Sequence, residues 1–122
     1  MGRRSKRPRA SIWFFLKNLT LDPDALAELE EAAAWYEQQR PGLAVVFLRE
    51  AKAVFTHVRE RPRLFSQLAL ASDLEVRRAL LKRFPYAAIF IELTAEVRII
   101  AMAHTKRRES YWLGRLRSLS EG

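Results

Sequence analysis

The residues with the most chemistry in this chain gather in its C-terminal half. Arg77, Arg78, Lys82 and Arg83 precede Phe84-Pro85-Tyr86, and His104, Lys106, Arg107, Arg108, Tyr111 and Trp112 follow an apolar run. Cations of this kind hold phosphates, and aromatic rings stack on bases. The same residue types also suit metal-free RNA cleavage, which needs a base for the 2′-OH, an acid for the leaving oxygen and cations for the developing charge.

Other chemistries lack their residues. The chain has no Cys and two His, which excludes disulfide frameworks, thiolate zinc sites and cysteine nucleophiles and disfavours a dedicated metal site. Its four glycines form neither a GxGxxG nor a phosphate-loop pattern, no G-x-S-x-G elbow occurs, and neither His has zincin spacing. No metal or cofactor is therefore expected. The acidic residues offer no evident catalytic pair: Glu28, Glu30, Glu31 and Glu37 read as the polar side of a helix, and Glu92 and Glu96 as exposed hairpin flanks. His57 lies within a helical pattern and reads as structural or exposed.

Local signals place these residues on elements. Phe14 to Leu21 reads as a first strand. Asp22-Pro23-Asp24 then starts a helix, with Asp22 able to accept first-turn N–H groups and Pro23 suited to the first helical position. That helix runs to about Gln39 with Leu26, Leu29, Ala33 and Tyr36 on one stripe, and Arg40-Pro41-Gly42 ends it. A second helix carries Ala44, Phe47, Leu48, Ala51, Val54, Phe55 and Val58 at spacings of three and four, closing before Pro62. The short Pro-Gly connection makes the pair an antiparallel hairpin.

Three strands follow, over Glu75 to Leu81, Tyr86 to Leu93 and Val97 to Ala103, the last two joined by a tight turn. Lys106 to Leu119 reads as a short helix. The order is β-α-α-β-β-β, an α+β domain with a helical hairpin on one face of an antiparallel sheet. If the last two strands are neighbours, the start of one lies beside the end of the other. Arg83 and Tyr86 then approach His104, and one cluster results.

At 122 residues the chain is one domain, with a basic tail over residues 1 to 12, expected to be disordered, and a folded domain over 13 to 118. No apolar run approaches the ~20 residues needed to cross a bilayer, and the basic start lacks the apolar length of a secretory signal. A cytoplasmic protein without a membrane partner is expected. The formal charge of +8 is polarised: residues 1 to 10 hold five basic and no acidic side chains, 11 to 58 four against seven, and 59 to 122 thirteen against seven. A basic surface of this kind attracts a polyanion or an acidic protein.

Three stretches carry a family likeness: AWYE-x-x-x-PGL in the helical hairpin, RRxLLxRFPY before the central strand and AHxKRxxxYW after the last one. Over about residues 14 to 116 the chain resembles the RelE/ParE superfamily of bacterial toxins, often labelled plasmid stabilisation proteins. The resemblance implies the β-α-α-β-β-β toxin fold, growth inhibition, and a cognate antitoxin protein as partner. Two activities occur in that superfamily: poisoning of DNA gyrase by ParE-type members, and ribosome-dependent mRNA cleavage by interferase-type members.

Interferase-type members commonly place an Arg within the strand that here reads Tyr86-Ala87-Ala88, with Arg83 only upstream. They often end the last strand with a His-Tyr or comparable pair, whereas Lys106-Arg107-Arg108 follows here. The resemblance therefore favours a non-enzymatic, ParE-like protein acting on gyrase. Its target-binding residues would be Arg78, Lys82, Arg83, Tyr86, His104, Lys106, Arg107, Arg108 and Trp112. The alternative is a metal-independent endoribonuclease acting on mRNA in the ribosome, with Arg83 clamping phosphate and His104 or Tyr111 moving protons. A third reading is a non-toxic binding protein of the same fold.

Overall fold

The computed structural model describes residues 18–69, 73–117 and 119. A short strand β1 (Asn18–Leu21) leads into helices α1 (Pro23–Gln39) and α2 (Leu43–Glu60). A 3-10 turn (Pro62–Leu64), strands β2 (Ser66–Gln67), β3 (Val76–Leu80), β4 (Tyr86–Glu92) and β5 (Glu96–His104), and a 3-10 segment (Glu109–Leu116) follow. The α+β order expected from the sequence is present. The expected strand residues Phe14 to Lys17 and the basic tail lie outside the described residues.

The five strands lie in the order β1-β5-β4-β3-β2. β3, β4 and β5 are consecutive antiparallel neighbours, whereas β1 pairs with β5 in parallel, so the sheet is mixed. The two-residue β2 at the far edge has no sequence signature, being too short for any alternation to register.

The α hairpin turns on one backbone position. Gly42 has φ 91°, a left-handed conformation, and opens α2. The carboxylate of Glu37 on α1 accepts the N–H groups of Gly42 (3.0 and 3.1 Å) and Ala44 (3.1 Å). An acidic side chain from one helix thus caps the start of the next, and these two bonds hold its carboxyl below the usual carboxylate range. Among the described residues, no atom beyond its two chain neighbours stands within 4 Å of where a Gly42 Cβ would sit, so Gly42→Ala meets backbone strain rather than a clash. It should cost about 1 kcal/mol in urea unfolding.

The stripe that α1 buries gains Ala25 and Ala32 and loses Leu26 relative to the expected one. Ala25, Ala32 and Ala33 are buried, with Leu29 and Tyr36 packed beside them, while Leu26 is exposed. Small alanines let α1 approach the sheet closely. In α2, Phe47, Ala51 and Val58 are buried and Leu48 is exposed. Asp22 does not cap α1 with its side chain; Arg98 takes it in a 2.6 Å ion pair and binds Glu96 at 2.9 Å. Thr20 Oγ1 donates to Glu96 at 2.7 Å, so Glu96 is a tie between β1 and β5 rather than an exposed flank. Glu92 likewise pairs with Arg63 at 3.0 Å.

The near-continuous apolar runs of β4 and β5 are explained by cover on both faces. Ala88, Phe90, Val97, Ile99 and Met102 face the helical hairpin. Ala87, Ile89, Ile91 and Ala103 pack with Trp112 and Leu116 on the opposite face. A register shift puts both Ile100 and Ala101 on that second face, as a β-bulge does. Among the described residues no helix is long and apolar enough to cross a membrane.

Three carboxyls, Glu37, Glu50 and Glu96, lie below their ordinary range. For Glu50 burial pushes upward, but hydrogen bonds from Arg83 and the Lys82 N–H outweigh it. Glu96 is lowered by bonds from Thr20 and Arg98. A group depressed in the folded state contributes stability that is complete above its unfolded value, about 4.3, and is lost as pH falls through the folded one. Urea midpoints measured from about pH 7 to about pH 3 should therefore fall at the acid end, and less steeply in Glu37→Gln.

Candidate functional site

A ring of aromatic contacts joins the two sequence stretches AWYE and RFPY. Tyr36 on α1 lies 4.8 Å from Phe84, Phe47 on α2 lies 5.1 Å from Phe84 and 5.5 Å from Tyr86. These contacts seat the β3–β4 connection under the hairpin and aim Tyr86 along the sheet end. There Tyr86 and His104 are cross-strand partners with rings 5.1 Å apart, edge to face.

Around that pair is a cleft of about 200 Å³ lined by Glu28, Glu31, Ala32, Trp35, Tyr86, Met102, His104, Arg107 and Tyr111. The first four come from α1, where positions 28, 31, 32 and 35 form one helical row. Arg107 stacks its guanidinium 3.8 Å from the Tyr111 ring centre. The Lys106 N–H donates to His104 Nδ1 at 3.1 Å, leaving the ring proton on Nε2.

Glu28 holds the site's far wall. Beyond Leu21 the strand β1 stops, and among the described residues no strand neighbours β5 further along that side. Glu28 Oε1 accepts the Met102 N–H at 2.9 Å, and Arg115 Nη1 donates to the Ile100 carbonyl at 2.8 Å. The two side chains then pair at 2.8 Å, with Asp24 at 3.6 Å from Arg115. Side chains thus substitute for the missing strand and tie the C-terminal segment to α1.

The phenols of the cleft stay protonated. Burial raises Tyr86, and the charges of Glu28 and Glu31 add to it. Burial and Glu28 push Tyr111 up to about 12, against the opposing charges of Arg115 and Arg107. Tyr36, the third tyrosine of the chain, is also raised, first by burial and then by Tyr86. In an alkaline titration followed by tyrosinate absorbance, no tyrosine should ionise with the ordinary value of about 10, and Tyr111 should be among the late ones. The raised values contribute stability that is complete below about pH 10 and is lost as pH rises through the folded-state values.

At neutral pH the cleft therefore presents O–H, N–H and guanidinium donors beside the carboxylates of Glu28 and Glu31. Such a wall suits recognition of a polar or phosphate-bearing surface. Among the described residues no three His, Asp or Glu side chains converge as a metal-binding group.

The residues expected to form one cluster are divided. Tyr86, His104, Arg107 and Tyr111 meet in the cleft. Arg83 does not join them: its side chain pairs with Glu50 of α2 at 3.0 Å, and Glu50 also accepts the Arg83 and Lys82 N–H groups. A tight β3–β4 connection directs consecutive side chains to different faces, so neighbours in sequence part company here. Arg78 is exposed on β3 opposite Ser66, two strands from His104, and does not line the cleft. Lys106 and Arg108 are exposed in the turn after β5.

Trp112 is fully buried, and its expected target contact is corrected by that burial: it fills the sheet face opposite the hairpin. Glu28, Glu31, Ala32, Trp35 and Met102 are the lining residues not anticipated as site residues, although the α1 row could have shown the first four.

No protein-family model matches the chain, and no curated protein matches it. Among solved structures, a chain in the chromosomal ParDE TA system from P. aeruginosa superposes with a TM-score of 0.64 at 18% sequence identity. The match covers 74% of this chain and 97% of that one. The domain built by β1 to β5 and the α hairpin thus has the fold of that ParDE chain, the RelE/ParE-like architecture that the three sequence stretches imply.

Proposed function

We propose that the chain is the toxin of a type II toxin–antitoxin pair, a ParE-like inhibitor of growth that acts in the cytoplasm on DNA gyrase and is neutralised by a cognate antitoxin. The fold shared with the ParDE chain supports the class, although a fold alone carries many functions. The observation that supports a binding rather than a cleaving role is the state of the cleft. Tyr86 and Tyr111 are held as donors, and the Nε2 proton of His104 makes that nitrogen a donor too. Arg83, the phosphate clamp of the nuclease reading, is engaged by Glu50.

A second reading has one observation in its favour: His104, Arg107, Tyr111 and the Glu31 carboxylate line one cleft, a set from which a base, a cation and an acid could be drawn. The test is supercoiling by gyrase with the purified chain added in excess. Loss of supercoiling, relieved by Arg107→Ala and His104→Ala, is expected. Intact supercoiling together with codon-aligned mRNA cuts on induction would establish the nuclease reading instead.

A further inference from the structure

The Tyr86–His104 cleft is electrically divided. At its Tyr111 end Arg107 and Arg115 lie over the ring, 3.8 and 5.3 Å from its centre, and oppose the rise in the phenol's pKa. At its Tyr86 end the acting charges are those of Glu28 and Glu31, and among the described residues no cation counters them there. Glu28 is paired with Arg115 at 2.8 Å, whereas Glu31 is exposed and has no ion pair among the described residues. Trp35 stands one turn beyond Glu31 on the same face of α1 and is 56% exposed. An exposed indole beside an unpaired carboxylate, with the Tyr86 ring across the cleft, is a seat for a guanidinium or ammonium group. Tyr111 shows the same kind of seat filled, by Arg107. A cleft of about 200 Å³ has room for one long side chain rather than a drug-sized ligand.

The chain carries its own supply of such groups. Residues 1 to 10 hold five cations and no acid. Residues 1–17 lie outside the described residues and join the fold at Asn18, which pairs with Glu96 at the start of β5. β5 runs nine residues from there to His104, about 26 Å from first to last at ~3.3 Å per step. The backbone from Arg9 to Asn18 extends to about 30 Å, so Arg9 and every cation before it can reach the cleft. Asp24, Glu28, Glu31 and Trp35 form one row on α1 that leads from the end of β1 toward that mouth. A tether of this length holds the arm at an effective concentration on the order of 1 mM, which a cation from any separate molecule must exceed.

We propose that the chain's own basic N-terminal arm seats an Arg or Lys side chain between Glu31 and Trp35, in the cleft that meets the target. The target must then displace the arm, so the chain restrains its own inhibitory surface. That consequence rests on the toxin reading; the docking of the arm does not.

The chain has no Cys, so Ser5→Cys gives a single attachment point for a nitroxide, between Arg4 and Lys6. In amide spectra of the isotope-enriched full chain, the Trp35 indole N–H and the Tyr86 and His104 amides should lose at least half their intensity relative to the reduced label. Glu31→Lys, at an exposed position, should restore them, as should about 1 M salt, which screens charge beyond ~3 Å. Broadening spread evenly, centred elsewhere on the fold, or surviving Glu31→Lys would overturn the inference. So would equal broadening in a mixture of nitroxide-bearing chain with separate enriched chain, which would assign the cation to a second copy. In gyrase supercoiling, Arg3→Ser, Arg4→Ser, Lys6→Ser, Arg7→Ser and Arg9→Ser together should lower the amount of chain needed for half inhibition at least threefold; an unchanged or higher amount would contradict displacement of the arm. Supercoiling untouched by both chains, with the broadening intact, would instead defeat the toxin reading and leave the docked arm standing.

Discussion

Trp112→Ala should remove about 3–5 kcal/mol of stability, the largest effect of any single substitution in the described fold. Trp112 is fully buried and closes the sheet face opposite the helical hairpin, against Ile89, Ile100 and Ala103 among others. Its loss leaves a large cavity over strands that are apolar on both faces, because the bulge at Ile100 and Ala101 turns two consecutive side chains to that side. With a urea slope of about 1–3 kcal/mol/M, the midpoint should fall by roughly 2 M. Trp112→Phe should lose distinctly less. A midpoint unchanged in the Ala variant would mean that the C-terminal segment is not part of the core.

Arg115→Ala should cost about 2–3 kcal/mol, because it removes a charged donor from two partners at once. The Ile100 carbonyl loses its 2.8 Å donor, and the Glu28 carboxylate, 17% exposed, keeps the Met102 N–H but loses its countercharge. The partners form one unit, so the effects should not add. A double-mutant cycle with Glu28→Gln should return a coupling of about 1 kcal/mol or more by urea unfolding. Glu28→Gln alone should also bring the Tyr111 titration down from about 12 toward its ordinary value, since Glu28's charge is one cause of the rise while burial remains. Additive losses would show that Glu28 and Arg115 act separately.

These two substitutions concern residues whose roles the sequence disclosed unevenly. The α hairpin, its Pro-Gly turn and the three antiparallel strands were legible, because apolar spacing of three and four, or nearly continuous apolar runs between turn signals, leaves few alternatives. The pairing of Tyr86 with His104 followed from the short turn between β4 and β5. The first strand was expected before Asp22, but its parallel pairing with β5 was not legible, since a four-residue strand pairs by tertiary context alone. Nor was β2.

Side-chain partners were the least legible part. Asp22 reads as a helix cap, yet Arg98, 76 residues away, takes its carboxylate. Glu28 and Glu37 read as solvated helix residues, yet one completes a strand edge and the other caps the next helix. Trp112 stands among cations and reads as part of a contact surface, but an indole is also the largest piece available to cover a sheet. Arg83 is one residue from Phe84 and two from Pro85, and the turn sends it to α2. In each case the sequence shows the residue type, and only the three-dimensional path decides which partner it meets.

The measurement that bears most directly on the central claim is the order in which syntheses stop. Labelled thymidine and labelled methionine are pulsed into a bacterium within minutes of inducing this chain, with Arg107→Ala as the comparison. The account predicts that DNA synthesis stops first while translation continues, and that Arg107→Ala delays the arrest. Translation stopping first would contradict it and turn attention to His104, Arg107 and Tyr111 as nuclease residues.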